Sequence, residues 1–325
     1  MNQAYDVIVV GSGVAAYTAA IYSSREGLRT LVLQGPDVGG QLVTTSEVEN
    51  FPGFPEGVDG YELMKRIEEQ AKKFGAIVVC DEVSRIVACP EVKIVRGRQD
   101  YQGRVVIVAS GSKARVLSVP GADVYWGRGI TACAVCDGAL PIFRNKHLVV
   151  VGGGDTAMTE ALHLARFGSR VTIVHRRSEF RASRCMQDRV AKHPKISVIW
   201  NSVVDHVSGG NVLESIAIRD ADGRLTTVSC GGLFYAIGHE PQTGFLKGSG
   251  VELDPEGYVM TLPDSTQTKV PGVFGAGDCL ASEKLFRQAV TASGSGCKAA
   301  LEASHFLKKA FPSPSLTLAF DSDPR

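Results

Sequence analysis

A strand, a glycine-rich turn, a helix and a second strand occur in that order twice in this chain, and no other feature restricts the fold as much. The first copy opens with Tyr5-Asp6-Val7-Ile8-Val9-Val10, turns through Gly11-Ser12-Gly13-Val14-Ala15-Ala16, and continues as a helix from Tyr17 to a strand at Thr30-Leu31-Val32-Leu33. The second places a strand at 146–151, the turn Gly152-Gly153-Gly154-Asp155-Thr156-Ala157, a helix at 158–167 and a strand at 170–174. In such a unit the first glycine permits the turn and the second lets backbone approach a pyrophosphate. A small third residue, here Ala16 or Ala157, lets helix pack on strand, and the helix start offers N–H groups to phosphate. Two copies predict an α/β protein with two Rossmann-like dinucleotide-binding domains.

The copies differ where their second strands end. An acid there usually meets a free ribose 2′-OH, and arginine a 2′-phosphate. The second copy ends in His175-Arg176-Arg177, with Arg181 four residues on. Guanidinium groups suit a dianionic phosphate through charge-assisted, bidentate bonds. A charge run can also be a solvated face, but its position at the strand tip favours NADP(H) over NAD. The first copy ends in neutral Gln34, which does not choose between FAD and NAD. Near the C-terminus, Gly272-Val273-Phe274-Gly275-Ala276-Gly277-Asp278 reads as a strand running into a turn and a carboxylate that could accept bonds from flavin ribityl hydroxyls. A helix is expected over 283–309, interrupted at Gly294 and Gly296, its start bringing Arg287, Gln288 and Ala289 towards a flavin ring.

Of eight cysteines only Cys133 and Cys136 are closely spaced, as Cys133-Ala134-Val135-Cys136. One CxxC without two further ligands at compatible spacing argues for a redox pair and against a metal knuckle. Thirty-five basic residues against 34 acidic ones give a net charge of +1, which argues against a broad nucleic-acid or membrane-facing surface. Asp6 interrupts the N-terminal stretch, and the apolar run Val7–Val10 that follows is too short for a signal peptide or a membrane span, so a cytoplasmic protein is expected.

Together these residues resemble the low-molecular-weight thioredoxin reductases. The resemblance runs from Val7 to about Lys308 and includes Gly39-Gly40-Gln41-Leu42, Val48-Glu49-Asn50-Phe51-Pro52-Gly53-Phe54-Pro55 and Cys133-Ala134-Val135-Cys136-Asp137-Gly138. It also takes in both glycine turns, the His175–Arg181 cluster and Gly277-Asp278 with Arg287-Gln288-Ala289. The resemblance implies an FAD domain made of 1–117 and 245–325, with an NADPH domain carrying the CxxC, 118–244, inserted into it. Hinges are expected near Gly111-Ser112-Lys113 and Gly238-His239-Glu240-Pro241. It further implies cofactor contacts from Gly11, Ser12, Gly13, Ala15, Ala16, Gln34, Gly40, Gln41, Leu42, Asn50, Gly111, Gly277 and Asp278. On the NADPH side it implies Gly152, Gly154, Asp155, Thr156, Ala157, Ile237 and Gly238, and it implies a homodimer. Val14 departs from the family's usual proline. Cys279 is extra and is expected to be a buried free thiol, and Pro312 and Pro314 argue against helix in the tail.

The implied chemistry passes electrons from NADPH through FAD to the Cys133–Cys136 disulfide, and on to oxidised thioredoxin by thiolate exchange. Asp137 is read either as an acid/base beside the pair or as an N-cap of the next helix. Other readings are a dithiol oxidase using oxygen, an NADPH-dependent reductase of another disulfide carrier, and a flavin-containing sensor. Retention of Arg176, Arg177 and Arg181 counts against the oxidase.

Overall fold

The computed structural model describes residues 4–45 and 47–312. They divide into two compact units. One holds the described residues up to Val43, Gly60–Ser112 and those from Pro241 onward; the other holds Thr44–Asp59 and Lys113–Glu240. The outer unit begins with β1 (Tyr5–Val10), α1 (Val14–Arg25), β2 (Thr30–Leu33), α2 (Gly60–Lys73), β3 (Ile77–Val79), β4 (Arg85–Ala88), β5 (Lys93–Arg96) and β6 (Asp100–Val108). A crossing strand, β7 (Ser112–Ala114), leads to α3 (Ala122–Tyr125), β8 (Ile130–Thr131), α4 (Ala134–Asp137), β9 (His147–Gly152) and α5 (Asp155–Leu164). The middle unit continues with β10 (Arg170–Val174), α6 (Arg184–Ala191), β11 (Ile196–Ile199), β12 (Ser202–Gly209), β13 (Leu213–Asp220), β14 (Leu225–Ser229) and β15 (Gly232–Ala236). The return strand β16 (His239–Pro241) is followed by β17 (Val273–Gly275) and α7 (Ala289–Ala310).

Each unit carries the same parallel arrangement. In the outer unit the order is β3-β2-β1-β6, and in the middle unit β11-β10-β9-β15, with β8 beyond. Long β6 pairs with β1 on one side; on the other, its first half meets β5 and its second half β17. The apolar runs follow from burial on both faces. In β9, Leu148 and Val150 pack with Ala157, Met158 and Ala161 of α5, while Val149 and Val151 face Ile216 and Ile218 of the antiparallel β12–β14 sheet. That sheet and the β4–β5 hairpin were not part of the sequence-based expectation.

The last helix starts at Ala289 instead of near Glu283. Residues 281–283 form a separate short turn, and the helix begins where Gln288 and Thr291 form a reciprocal capping box. Its glycines have different roles. A Cβ on Gly296 would lie 2.2 Å from the carbonyl oxygen of Ala15, so this residue lets α7 cross the backbone of α1, whereas one on Gly294 would meet nothing within 4 Å. Cys279 is a fully buried free thiol in the outer core, as expected. The helix stops at Ala310, before Pro312; the expectation for Pro314 lies outside the described residues.

Gly296→Ala therefore forces the two helices apart and should cost about 1–3 kcal/mol. Gly294→Ala should be neutral or stabilise by up to about 1 kcal/mol. Thermal unfolding followed by circular dichroism reads both, and a Gly296→Ala protein that melts like the parent would refute the close-approach explanation.

Candidate functional site

The first glycine turn is built by contacts that leave no room for side chains. A Cβ on Gly11, at φ 127°, would sit 2.2 Å from the carbonyl oxygen of Ala109, the residue after β6. Gly40, at φ 69°, brings the short turn 40–44 against this bend, and a Cβ on it would lie 3.1 Å from the Cα of Gly13. A Cβ on Gly277 would lie 2.8 Å from that of Ala15, while Gly13 itself faces open space. Gly11, Gly13, Ala15, Gly40 and Gly277 are thus brought together, with Ala16 buried behind them. The Ser12 hydroxyl shares its one hydrogen between the carbonyls of Gln34 (3.1 Å) and Asp37 (3.0 Å) and accepts the Gly39 N–H (3.1 Å), so it fastens the 34–39 loop over the turn. The Gln34 amide donates to the Tyr17 hydroxyl at 2.6 Å. Leu42 is half-buried and Gln41 exposed on the 40–44 turn, whereas exposed Asn50 belongs to the other unit.

Asp278 closes this region. Burial pushes its carboxyl up to about 6, with the Arg287 charge pulling down and Glu283 pushing up. Among the described residues its carboxylate takes no hydrogen bond. Arg287 donates to the Tyr258 hydroxyl at 2.9 Å, and Gln288 and Ala289 sit half-buried at the start of α7. A glycine-walled opening with a half-buried, unbonded carboxylate fits a dinucleotide whose ribose or ribityl hydroxyls supply donors.

The second turn repeats the first. A Cβ on Gly152 would lie 2.4 Å from the carbonyl oxygen of Ala236, and Gly154 faces open space. Each neighbouring strand is followed by a glycine at positive φ with open space around it, Gly111 (69°) and Gly238 (97°), the latter preceded by half-buried Ile237. Arg176, Arg177 and Arg181 are exposed at the strand ends, and the Arg181 N–H donates to the Gly153 carbonyl at 2.8 Å, tying the cluster to the turn.

His175 and Asp155 stand differently from the arginines. His175 is buried, its ring packed where a Cβ on Gly153 would be 2.1 Å away, and its Nε2 is 3.0 Å from the Glu179 carbonyl. Burial and the Arg177 and Arg181 charges hold it below the usual histidine range, so at neutral pH it braces the loop without charge. Asp155 accepts bonds from the N–H and hydroxyl of Ser183 at 2.9 and 2.7 Å, and these bonds hold its carboxyl low. Thr156 is exposed and Ala157 fully buried.

Cys133 and Cys136 are joined by a disulfide across the single turn of α4, with Cα atoms 5.3 Å apart, and both are half-buried. The Cys136 N–H donates to the Cys133 sulfur at 3.2 Å. Asp137 ends α4, so it does not cap a following helix, and that reading is withdrawn. Its Oδ2 accepts the Thr131 hydroxyl, and its Oδ1 is buried with no partner among the described residues. Burial lifts this carboxyl above the usual range, with the Thr131 bond opposing. A carboxyl held towards its acid form beside a disulfide can donate a proton to a departing sulfur.

The pyridine nucleotide-disulphide oxidoreductase family model matches residues 5–296. The chain belongs to that family. Within it, the chain is 49% identical to thioredoxin reductase 1, mitochondrial, of Arabidopsis thaliana, over 93% of this chain and 83% of that protein. It is 46% identical to thioredoxin reductase of Chlamydia pneumoniae, over 93% of this chain and 98% of the relative. Among solved structures, thioredoxin reductases from Giardia duodenalis and Streptococcus pyogenes each superpose with a TM-score of 0.89 at 38% identity, covering 94–95% of this chain and 99–100% of those chains. The pyridine nucleotide-disulphide oxidoreductase fold with two dinucleotide-binding domains is therefore the fold of this chain.

Three residues of this family member escaped the sequence reading. Trp200, 37% exposed, follows the third parallel strand and packs against Phe180 in a tilted pair, ring centroids 4.3 Å apart, beside the arginine loop. An aromatic residue directly after β11 was the available signal. Thr131 gave none, since its hydroxyl finds Asp137 only through tertiary geometry. Glu160 on α5 looked like an ordinary helix residue but is buried with Oε2 unpartnered, and burial pushes its carboxyl up to about 8.

Because the folded pKa of Glu160 is raised, the folded chain binds more protons than the unfolded chain between about pH 4.5 and 8. Stability is lost as pH rises through that window and levels off above it. Glu160→Gln should match the parent near pH 4 and exceed it by on the order of 4–5 kcal/mol at pH 8.5. Chemical denaturation at both pH values measures this, and a pH-independent difference would show that Glu160 is not held in its acid form.

Proposed function

We propose that this protein is an NADPH-dependent thioredoxin reductase, a flavoprotein that reduces a protein disulfide through Cys133 and Cys136. The observation that carries the reading is a half-buried disulfide in the same unit as an arginine-tipped dinucleotide turn. The relatives' names and the family support it. Residues 1–117 and 245–325 are assigned to FAD, and 118–244 to NADPH. Gly11, Gly13, Ala15, Gly40, Gly111 and Asp278 would hold FAD, with Ser12, Ala16, Gln34, Gln41, Leu42, Asn50, Gly277, Arg287, Gln288 and Ala289 in or behind that site. Gly152, Gly154, Thr156, Ala157, Ile237 and Gly238 would hold the NADPH backbone, and Arg176, Arg177 and Arg181 its 2′-phosphate. Asp155 and His175 shape the loop, and Trp200 offers a ring face to the adenine. When bound, the two cofactors together supply a pair of electrons to the disulfide.

The chain's own residues do the rest. Once Cys133 and Cys136 are a dithiol, the thiolate of one attacks the partner's disulfide, forming a mixed disulfide and releasing one partner sulfur. The other cysteine then displaces the partner and restores the Cys133–Cys136 bond, and two protons pass from the dithiol to the partner's thiols. Asp137 holds a proton at its carboxyl for a departing sulfur. A homodimer is carried over from the family resemblance. A reducing, cytoplasmic setting agrees with exposed free thiols at Cys80, Cys89 and Cys185, and among the described residues no helix is long and apolar enough to cross a membrane.

The test is anaerobic NADPH oxidation by the flavin-loaded protein with catalytic thioredoxin and excess insulin. Sustained turnover requiring thioredoxin is expected. Cys133→Ser and Cys136→Ser should abolish it while leaving flavin bleaching by NADPH intact. A single bleaching without turnover would move the disulfide to another carrier or a switch, and no bleaching at all would favour the dithiol oxidase. Arg176→Ala with Arg177→Ala should erode the preference for NADPH over NADH by roughly 1.5–3 kcal/mol per charged hydrogen bond lost. An unchanged preference in kcat/KM would refute the phosphate assignment.

A further inference from the structure

Thr131 closes strand β8, pairs with Phe234 of β15, and is 8% exposed. Its hydroxyl oxygen accepts the N–H of Cys133 at 3.3 Å and donates its hydrogen to Asp137 Oδ2. A hydroxyl has a single hydrogen. The Cys133 N–H occupies one of the oxygen's two lone pairs, and the hydrogen is directed at Oδ2, which is therefore an acceptor. The acid proton of Asp137 is left to Oδ1, the oxygen that is buried without a partner among the described residues. The same short segment ties Asp137 to the disulfide through its own N–H, which donates to the Cys133 carbonyl at 3.1 Å.

We propose that Thr131 is a positioning residue for the reductase reaction, confining the acid proton of Asp137 to Oδ1 and fixing the plane of that carboxyl beside the Cys133–Cys136 pair. This rests on the reading of Asp137 as the proton donor. Opening the disulfide takes two electrons, which NADPH supplies, and leaves two thiolates. The proton on Oδ1 converts one of them to a thiol and leaves a carboxylate, which is reprotonated from solvent. Thr131 stabilises that carboxylate by its hydrogen bond, so the acid releases its proton more readily than burial alone would allow.

The groups that share this neighbourhood are few. Helix α4 itself brings Cys133 and Cys136. Helix α5, packed against it, carries Asp155, engaged by Ser183; Glu160, buried and held towards its acid form; and His163, which burial holds below the usual range. Strand β15, beside β8, carries Tyr235, whose hydroxyl burial pushes up. At Asp137 the balance is set by burial against the Thr131 bond, with no charged side chain contributing.

The experiment is the pH profile of kcat with NADPH and thioredoxin for the flavin-loaded parent, Thr131→Val, Thr131→Ser, Asp137→Asn and the Thr131→Val/Asp137→Asn pair. Thr131→Val should lower kcat at neutral pH by roughly tenfold or more, and should move the limb where the acid form is lost upward by about one pH unit. Thr131→Ser should restore both. In the Asp137→Asn background Thr131→Val should change kcat by no more than roughly twofold. Flavin content and visible spectrum control for folding, and Thr131→Ala replaces the valine variant should that fail to load flavin. If Asp137→Asn slows turnover but Thr131→Val leaves both rate and profile unchanged, or slows the Asn variant just as much, the positioning role is wrong and the Asp137 reading stands. If Asp137→Asn itself leaves the profile unchanged, both fall together.

Discussion

At the carboxyl end of β1 a Cβ on Gly11 would lie 2.2 Å from a carbonyl oxygen of the adjoining chain, and at the end of β9 one on Gly152 would lie 2.4 Å from its counterpart. These two close approaches occur where the strand order reverses, between β1 and β6 and between β9 and β15. Any side chain there would push the turn off the neighbouring strand and misplace the helix that follows. The other parts of both sites depend on this: the open second glycine, the strand tips that carry Gln34 or the arginines, and the positive-φ glycine after the neighbouring strand.

On this shared frame the two units are given opposite electrostatics. The outer unit presents a half-buried carboxyl, Asp278, with no hydrogen bond among the described residues, which calls for donors from whatever it holds. The middle unit presents three exposed guanidinium groups, which call for an anion. Beside the disulfide a third arrangement holds. The carboxyl of Asp137 is shielded from water and from other charges, so its protonation is governed by one hydroxyl and the local dielectric.

Where function is read by backbone, the sequence was legible. Gly11 and Gly152 declare their purpose because a side chain there would strike the neighbouring backbone, Gly13 and Gly154 by leaving the space beside them open, and the CxxC by its spacing. Side-chain direction was less accessible. Ser12, Asp155 and His175 stand at the expected positions, but their polar atoms are taken up by loops that lie 22 to 28 residues away for Ser12 and Asp155 and four residues away for His175. Which atoms those loops present is decided by tertiary packing. The start of α7 was misread for a related reason: Glu283 looks like a helix-opening acid, but the capping box of Gln288 and Thr291 sets the boundary. Glu160 was invisible because periodicity gives the face of a helix and not what covers it.

The chain enters the 113–240 part of the middle unit through β7 and leaves it through β16, and these two strands pair with each other as a two-stranded ribbon. On the outer side the Gln242 N–H donates to the Gly111 carbonyl at 3.0 Å, and on the middle side the Arg115 N–H donates to the Gly238 carbonyl at 2.9 Å. Each unit therefore closes its own chain ends within one hydrogen bond. For the outer unit, hosting the interruption requires almost no loop-closure entropy, since the two cut ends already meet. For the middle unit, its ends lie together as they do in many free-standing domains. A segment set inside another fold disturbs neither most readily where both conditions hold, and here two backbone hydrogen bonds meet them.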